Sequence, residues 1–146
     1  MKRSAALIPL SHDHHQVLFV AKLLRDAPEA ADRGEAARSA FLEFWRSEGE
    51  NHFRIEEEVL TPGAGLPGPL AEEGLARMRV EHIRIRGLVS YLSDEVEPEK
   101  LRELGQALAD HVRFEERELF PLIEKSLSAE QLDHLGALIV AAHGSS

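Results

Sequence analysis

A repeat within the chain is the feature that most restricts its fold. Residues 52–62 read HFRIEEEVLTP and residues 111–121 read HVRFEERELFP, with His, Arg, a Glu pair, Leu and Pro at the same offsets. Residues four apart on an α-helix differ by about 40° around its axis. On helices, His52 with Glu56 and His111 with Glu115 would therefore each present a nitrogen and a carboxylate on one face.

Apolar residues recur at helical spacing along the chain, and no alternating run rich in Val, Ile and Thr indicates a strand. The pattern predicts an all-α protein in which Ser11 caps the first helix and Pro98 opens the fourth. We expect Pro121 to end or kink that helix, and Ser128 with Gln131 to form the capping box of the last. The predicted helices span residues 11–25, 35–60, 70–92, 98–120 and 128–141, joined by Pro- and Gly-rich loops at 26–34 and 61–69 and a turn at 93–97.

Four long helices with short connections imply an antiparallel up-down four-helix bundle, with a short extra C-terminal helix packed outside it or across one end. A length of 146 residues suits one domain, and no composition change marks a boundary within residues 1–146. The repeat would then relate the first two helices of the bundle to the third and fourth.

The apolar neighbours of the repeated pairs indicate which way they point. Ile55 and Val59 share the face of the first pair, and Leu108 and Phe114 share the face of the second. The first and third helices each carry an acidic residue followed by a histidine, Asp13-His14 and Glu81-His82, and both histidines also lie on apolar stripes. The polar residues predicted to face one core are His14, His52, Glu56, His82, His111 and Glu115.

Burying these groups without partners would cost roughly 2 to 7 kcal/mol for each unsatisfied amide-like group, and more for an ionised glutamate. A bound cation resolves the cost. The chain has no cysteine, so nitrogen and oxygen must hold any metal. A single inward histidine is more often a hydrogen-bonded core residue, but the convergence of six polar residues from four helices favours a metal site.

Other polar residues near these motifs are expected to have ordinary roles. Glu57 and Glu116 lie about 100° around the helix from the inward glutamates, which predicts a solvated row or a row of supporting contacts behind the metal ligands. The remaining histidines are expected to face elsewhere, to lie in the last helix or to belong to a frayed tail; they are His12, His15, His134 and His143.

Composition excludes some classes of partner. A formal net charge of −9 argues against nucleic acid, because phosphate binding requires clustered Lys and Arg. No stretch approaches the roughly 20 apolar residues of a membrane span, so we expect no membrane partner and a cytoplasmic location.

Four segments together resemble the hemerythrin-like, or HHE cation-binding, family over about residues 7–125: LSHDHHQVL, HFRIEEEVLTP, RVEHIRIRGL and HVRFEERELFP. The resemblance implies a four-helix bundle that holds two iron ions. It implies His14, His52, Glu56, His82, His111 and Glu115 as ligands. Glu56 and Glu115 would bridge the irons, and a water-derived oxo or hydroxo group would form a third bridge.

The sequence departs from the oxygen-carrying hemerythrins at two positions. They have a second histidine one turn after the ligand of the third helix, where this chain has Arg86. They also place the last carboxylate five residues after its histidine, which would select Glu116 rather than Glu115. These departures favour the HHE branch and leave open both the choice of glutamate and whether Arg86 occupies a coordination position.

The first functional hypothesis is a non-haem di-iron protein that binds or reacts with dioxygen, peroxide or nitric oxide in sensing, protection or iron handling. A second is a peroxidase or oxidase that uses the same centre, although the sequence shows no separate acid-base pair. A third is a metal buffer whose native ion is zinc or manganese, since imidazole and carboxylate ligands suit these ions as well.

Overall fold

The computed structural model describes residues 2–27, 31–64, 69–92 and 97–144. Throughout these ranges the regular elements are helical, which confirms the all-α prediction. The five continuous helices are α1 (Ile8–Arg25), α2 (residues 31–64), α3 (Pro69–Ser90), α4 (residues 98–126) and α5 (Ala129–His143). In the described part of the chain, none of them combines the length and apolar character needed to cross a membrane.

Helices α2 and α4 are interrupted by π-helical turns. In α2 these turns are Trp45–Gly49 and Glu56–Leu60, between α-helical segments Ala31–Phe44, Glu50–Ile55 and Thr61–Ala64. In α4 the turn is Glu115–Leu119, between Pro98–Phe114 and Phe120–Ser126. Two of the three turns thus begin at the repeated glutamates, Glu56 and Glu115. Such turns occur frequently at functional sites.

The predicted start of the first helix was wrong. Helix α1 begins at Ile8, with Pro9 in its first turn, and Ser11 does not cap it. The Ser11 hydroxyl instead donates to Glu116 Oε2 at 2.7 Å. The start of α2 also differs from the prediction, because the helix is already formed at Ala31. Residues 31–34, which were predicted to be loop, are therefore helical. Pro98 and the Ser128 capping box lie where they were predicted.

Pro121 neither ends α4 nor leaves its backbone unsatisfied. The preceding π turn changes the pairing, so that the Phe120 N–H bonds the carbonyl of Glu115. Proline has no N–H to offer the next carbonyl, that of Glu116. Arg3 Nη2 donates to this carbonyl at 2.8 Å. The π turn and one arginine together accommodate a residue that was expected to break or kink the helix.

Pro62, which holds the corresponding position in the first repeat, is likewise accommodated within a helix. Thr61–Ala64 is helical although the sequence predicted a loop there. The Thr61 N–H and its hydroxyl both bond the carbonyl of Glu56, the hydroxyl at 3.0 Å. The rest of the predicted 61–69 loop up to residue 68, the turn at residues 93–96 and residues 28–30 of the first loop lie outside the described residues.

The helices pack as a bundle with two apolar clusters. α1 packs against α2 and α4, and α3 packs against α4. The approach of α1 to α4 is close, since a Cβ on Gly105 would lie 2.6 Å from the carbonyl oxygen of Ala21. One cluster includes Leu24, Phe41, Trp45, Leu92 and Leu104, and the other includes Leu10, Leu60, Met78, Phe120 and Ile139. Along each of α1 to α4 a buried histidine lies between residues of the two clusters.

Candidate metal centre

Six buried polar residues lie together where the two apolar clusters meet. They are His14, His52, Glu56, His82, His111 and Glu115, each exposed by 3% or less. All of the inward residues expected from the sequence are therefore buried and brought to one place. We call them the inner residues.

The inner residues form two groups that share both glutamates. The first half-site consists of His14 and His52 with Glu56 and Glu115, and the second of His82 and His111 with the same glutamates. Within each half-site the four nitrogen and oxygen atoms lie within 4.8 Å of one another. Two imidazoles and two carboxylates at this separation can hold a metal ion.

Each shared carboxylate turns one oxygen toward each half-site. Glu56 Oε1 lies 3.0 Å from His82 Nε2, and Glu56 Oε2 lies 3.3 Å from His52 Nε2. Glu115 Oε1 lies 2.9 Å from His14 Nε2, and Glu115 Oε2 lies 3.2 Å from His111 Nε2. Each glutamate could therefore contribute one oxygen to each half-site.

The other ring nitrogen of each histidine also meets a carboxylate. His52 bonds Asp13 at 2.9 Å, His82 bonds Glu57 at 2.6 Å, His111 bonds Glu81 at 2.7 Å and His14 bonds Glu116 at 2.7 Å. We call Asp13, Glu57, Glu81 and Glu116 the outer carboxylates. Each outer carboxylate bonds the histidine of the next helix in the chain, and the carboxylate of α4 bonds the histidine of α1. Donation from Nδ1–H to a carboxylate fixes the tautomer that turns the Nε2 lone pair inward.

A neutral imidazole has one N–H, yet both nitrogens of each inner histidine face carboxylate oxygens. Either the ring carries a second proton or a cation takes that proton's place. Among the inner residues, three buried atoms have no hydrogen-bond partner, namely His52 Nε2, Glu56 Oε2 and Glu115 Oε2. Unsatisfied buried polar atoms are costly, so the donor set fits a metal bound between the rings and the shared carboxylates.

The protonation equilibria reflect the same need for positive charge. Burial lowers the pKa of His111, but Glu115, Glu81 and Glu56 outweigh it and raise the pKa to about 10. His52 likewise has a pKa well above its ordinary value, since Glu56 and Asp13 outweigh desolvation. Burial acts to raise the pKa of Glu115, but the adjacent histidines hold it well below the usual range. The centre thus favours ionised carboxylates with bound protons or metal.

Glu115 and Glu116 have different positions, a choice that the sequence left open. Glu115 is fully buried and belongs to both half-sites. Glu116 is partly buried, bonds His14 Nδ1 and receives a hydrogen bond from Ser11. Glu57 occupies the corresponding outer position in α2. The geometry therefore places the first glutamate of each repeated pair inward and the second behind a histidine.

Arg86 lies outside the half-sites. Its guanidinium donates to both oxygens of Glu57, at 2.6 and 3.1 Å. It also lies 5.5 Å from the ring centroid of Phe53, which stacks on His82 at a centroid distance of 3.8 Å. The arginine that replaces a histidine of the oxygen carriers therefore supports an outer carboxylate rather than facing the inner atoms.

The remaining histidines fall into two classes. His12, His15 and His134 are exposed, as the sequence suggested. His143, which was expected in a frayed tail, is instead the last residue of α5 and bonds Asp13. No spacing rule connects a residue so late in the chain with the first helix, so sequence reasoning missed this contact.

Comparison with known proteins identifies one family. The model of the hemerythrin HHE cation binding domain matches residues 8–123, a span that contains every inner residue and every outer carboxylate. Neither a curated protein nor a solved structure matches the chain. Helix α5, and with it His143, lies beyond the matched span.

Proposed function

Because the chain belongs to the hemerythrin HHE cation-binding family, we propose that it is a non-haem di-iron protein that binds or reacts with dioxygen, peroxide or nitric oxide. We place its centre in an antiparallel up-down bundle of α1 to α4. The observation that carries the proposal is the pair of half-sites that share two buried carboxylates. A single-metal site would not require one oxygen of each glutamate to face each pair of histidines.

In this proposal His14 and His52 hold one ion, and His82 and His111 hold the other. Glu56 and Glu115, its counterpart in the repeat, would each offer one oxygen to either ion. Nitrogen and oxygen donors suit iron, and four protein atoms around each ion would leave coordination positions open. A di-iron centre with open positions supplies binding of a small oxidant and exchange of electrons with it.

The protein surroundings support a small, uncharged ligand. Phe53 stacks on His82, and Phe120 lies parallel to His14 with ring centroids 5.6 Å apart. Both apolar clusters adjoin the inner residues, so bulk water and large substrates are kept away. The outer carboxylates keep the Nε2 atoms turned inward, which prepares the rings for metal without rearrangement.

The test is metal analysis of protein purified without added metal, followed by anaerobic loading with Fe²⁺ and exposure to air or peroxide. We expect two irons per chain and near-ultraviolet bands of a bridged ferric pair that disappear on reduction. His111→Ala should lose them, whereas His134→Ala, a change of an exposed histidine, should keep them. A wild-type chain that takes up no iron, or takes it up without these bands, would refute the proposal.

Two outcomes would redirect the proposal rather than support it. Zinc or manganese at two ions per chain in the purified protein, with no response to oxidants after iron loading, would indicate a metal buffer. Catalytic consumption of peroxide far above that of free iron, lost in His111→Ala, would indicate a peroxidase or oxidase. A stoichiometric reaction supports the binding protein.

A further inference from the structure

The contacts behind the two half-sites are not equivalent. In the second half-site, Glu57 is bonded by Arg86 and Glu81 by Arg77 Nε at 2.8 Å, and both arginines belong to α3. In the first half-site, Ser11 of α1 donates to Glu116, and the basic partners of the outer carboxylates come from outside α1 to α4. Arg3, which precedes α1, contacts Glu116 at 3.3 Å, and His143 of α5 contacts Asp13. The repeat therefore produces two similar sets of ligands with different support.

The contact between α5 and the first half-site is a chain of three side chains. His143 Nε2 lies 3.0 Å from Asp13 Oδ1 and 2.9 Å from Asp13 Oδ2. The same Oδ2 lies 2.9 Å from His52 Nδ1. His52 Nε2, at the other side of that ring, is one of the buried atoms without a hydrogen-bond partner. A movement of His143 would thus be transmitted to a predicted ligand through one carboxylate.

The position of His143 is set by the packing of α5. Leu135 and Ile139 are fully buried, in the apolar cluster that also contains Leu10 and Phe120. At the start of the helix the Ser128 side chain accepts from the Gln131 N–H at 3.1 Å in a reciprocal capping box. A helix anchored at both its start and its middle holds its last turn against α1.

We propose that His143 is a positioning residue for the metal held by His14 and His52. It fixes the Asp13 carboxylate, which in turn holds the His52 ring with Nε2 directed into the first half-site. Without it, Asp13 can rotate toward solvent and His52 loses its orientation. Partners of this kind typically affect metal affinity by about 10- to 100-fold. The C-terminal helix thereby controls the affinity of one of the two ions; the inference rests on the proposed function.

The experiment is an anaerobic titration of the metal-free protein with Co²⁺, whose visible absorption reports its coordination without any turnover. We expect the wild type to bind two Co²⁺ per chain. In His143→Ala one of the two should bind at least tenfold more weakly while the other is unchanged. Arg86→Ala should weaken one equivalent as well, and the double variant should weaken both, because the two substitutions act on different half-sites.

Two further variants separate positioning from folding. His143→Gln retains an N–H that can donate to Asp13 and should recover most of the affinity, whereas His143→Leu should not. His134→Ala, on the exposed face of the same helix, should bind both ions normally. Far-ultraviolet circular dichroism checks that α5 remains folded, and if His143→Ala loses helix, the comparison of the Gln and Leu variants decides.

Two results overturn the inference without affecting the proposed function: unchanged affinities for both ions in His143→Ala, or equal weakening of both. Failure of the wild type to bind two ions refutes the proposed function, and this inference with it.

Discussion

Raising the pH should destabilise the metal-free protein. Burial alone would lower the pKa of His111, but its carboxylate neighbours raise it to about 10, against an ordinary value of 6.5. The folded state therefore binds this proton more tightly than the unfolded state. The resulting stabilisation is complete below about pH 6.5 and is lost as the pH rises through about 10.

The magnitude follows from that difference. At 1.36 kcal/mol per pH unit, the difference between the folded and the ordinary pKa of His111 corresponds to about 5 kcal/mol of stabilisation. About 4 kcal/mol of this stabilisation would be lost between pH 6.5 and 9.5. His52 and His14 have raised pKa values and act in the same direction. The lowered pKa of Glu115 reflects the same ion pairs, so it provides no separate stabilisation. Since domains are stable by only about 5 to 15 kcal/mol, the effect is large.

A bound metal should remove this pH dependence. The ion takes the place of the proton on Nε2, so the loaded protein has no such proton to lose as the pH rises. Metal affinity should increase with pH, because ligands must be deprotonated to bind. In acid the reverse holds, and protonation of the histidines and glutamates should release the metal.

The assay is urea unfolding followed by circular dichroism at several values between pH 6.5 and 9.5, with chelator and with two equivalents of metal. We expect the unfolding free energy of the metal-free protein to fall across this range and that of the loaded protein to remain nearly constant. His111→Gln should lose the part of the slope that His111 contributes, and His134→Gln should keep the full slope. A metal-free protein whose stability is constant or increases toward pH 9.5 would show that the reasoning is wrong.

Three other predictions concern single substitutions. Glu115→Gln should abolish the binding of both metal ions, because this carboxylate serves both half-sites, whereas Glu116→Gln should still bind two ions in a metal titration, with the ion of the first half-site bound about 10- to 100-fold more weakly. Gly105→Ala should destabilise by about 1 to 3 kcal/mol in urea, since its Cβ would meet a backbone oxygen of α1 at 2.6 Å, whereas Gly87→Ala, with open space around it, should be neutral or stabilising by up to about 1 kcal/mol. Ser128→Ala should cost about 1 kcal/mol and speed amide exchange at the start of α5, since it removes the cap.

Helical periodicity was sufficient to predict the fold class and most helix interiors, because the apolar stripe repeats over many turns. The helix ends were less predictable, since they depend on contacts with distant residues. Ser11 is a residue type that often caps a helix, but its hydroxyl bonds Glu116, which is far away in sequence. Proline is a residue type that usually ends a helix, but at Pro121 a π turn and Arg3 compensate for the missing N–H. Local rules fail where a tertiary partner replaces the local one.

The same distinction applies to the site. The inner residues could be found from the sequence because each lies on an apolar stripe and because the same His and Glu spacing occurs in both copies of the repeat. The outer carboxylates were visible in the sequence as acidic residues next to inner residues, but the histidines that they bond were not. Asp13 adjoins His14 in sequence yet bonds His52, and Glu57 follows Glu56 yet bonds His82. Which histidine each one supports depends on which helices are neighbours in space.

The cross-pairing of the repeat explains why it must be present twice in one bundle. His52 lies beside Glu56, and His111 beside Glu115, each pair within one repeat. His14, from the first half of the chain, meets Glu115 from the second, and His82 meets Glu56 in the opposite sense. Each half-site therefore takes its histidines from one half of the chain and its carboxylates from both. Neither half can assemble a complete half-site alone, so metal binding and the docking of α1 and α2 on α3 and α4 are linked equilibria.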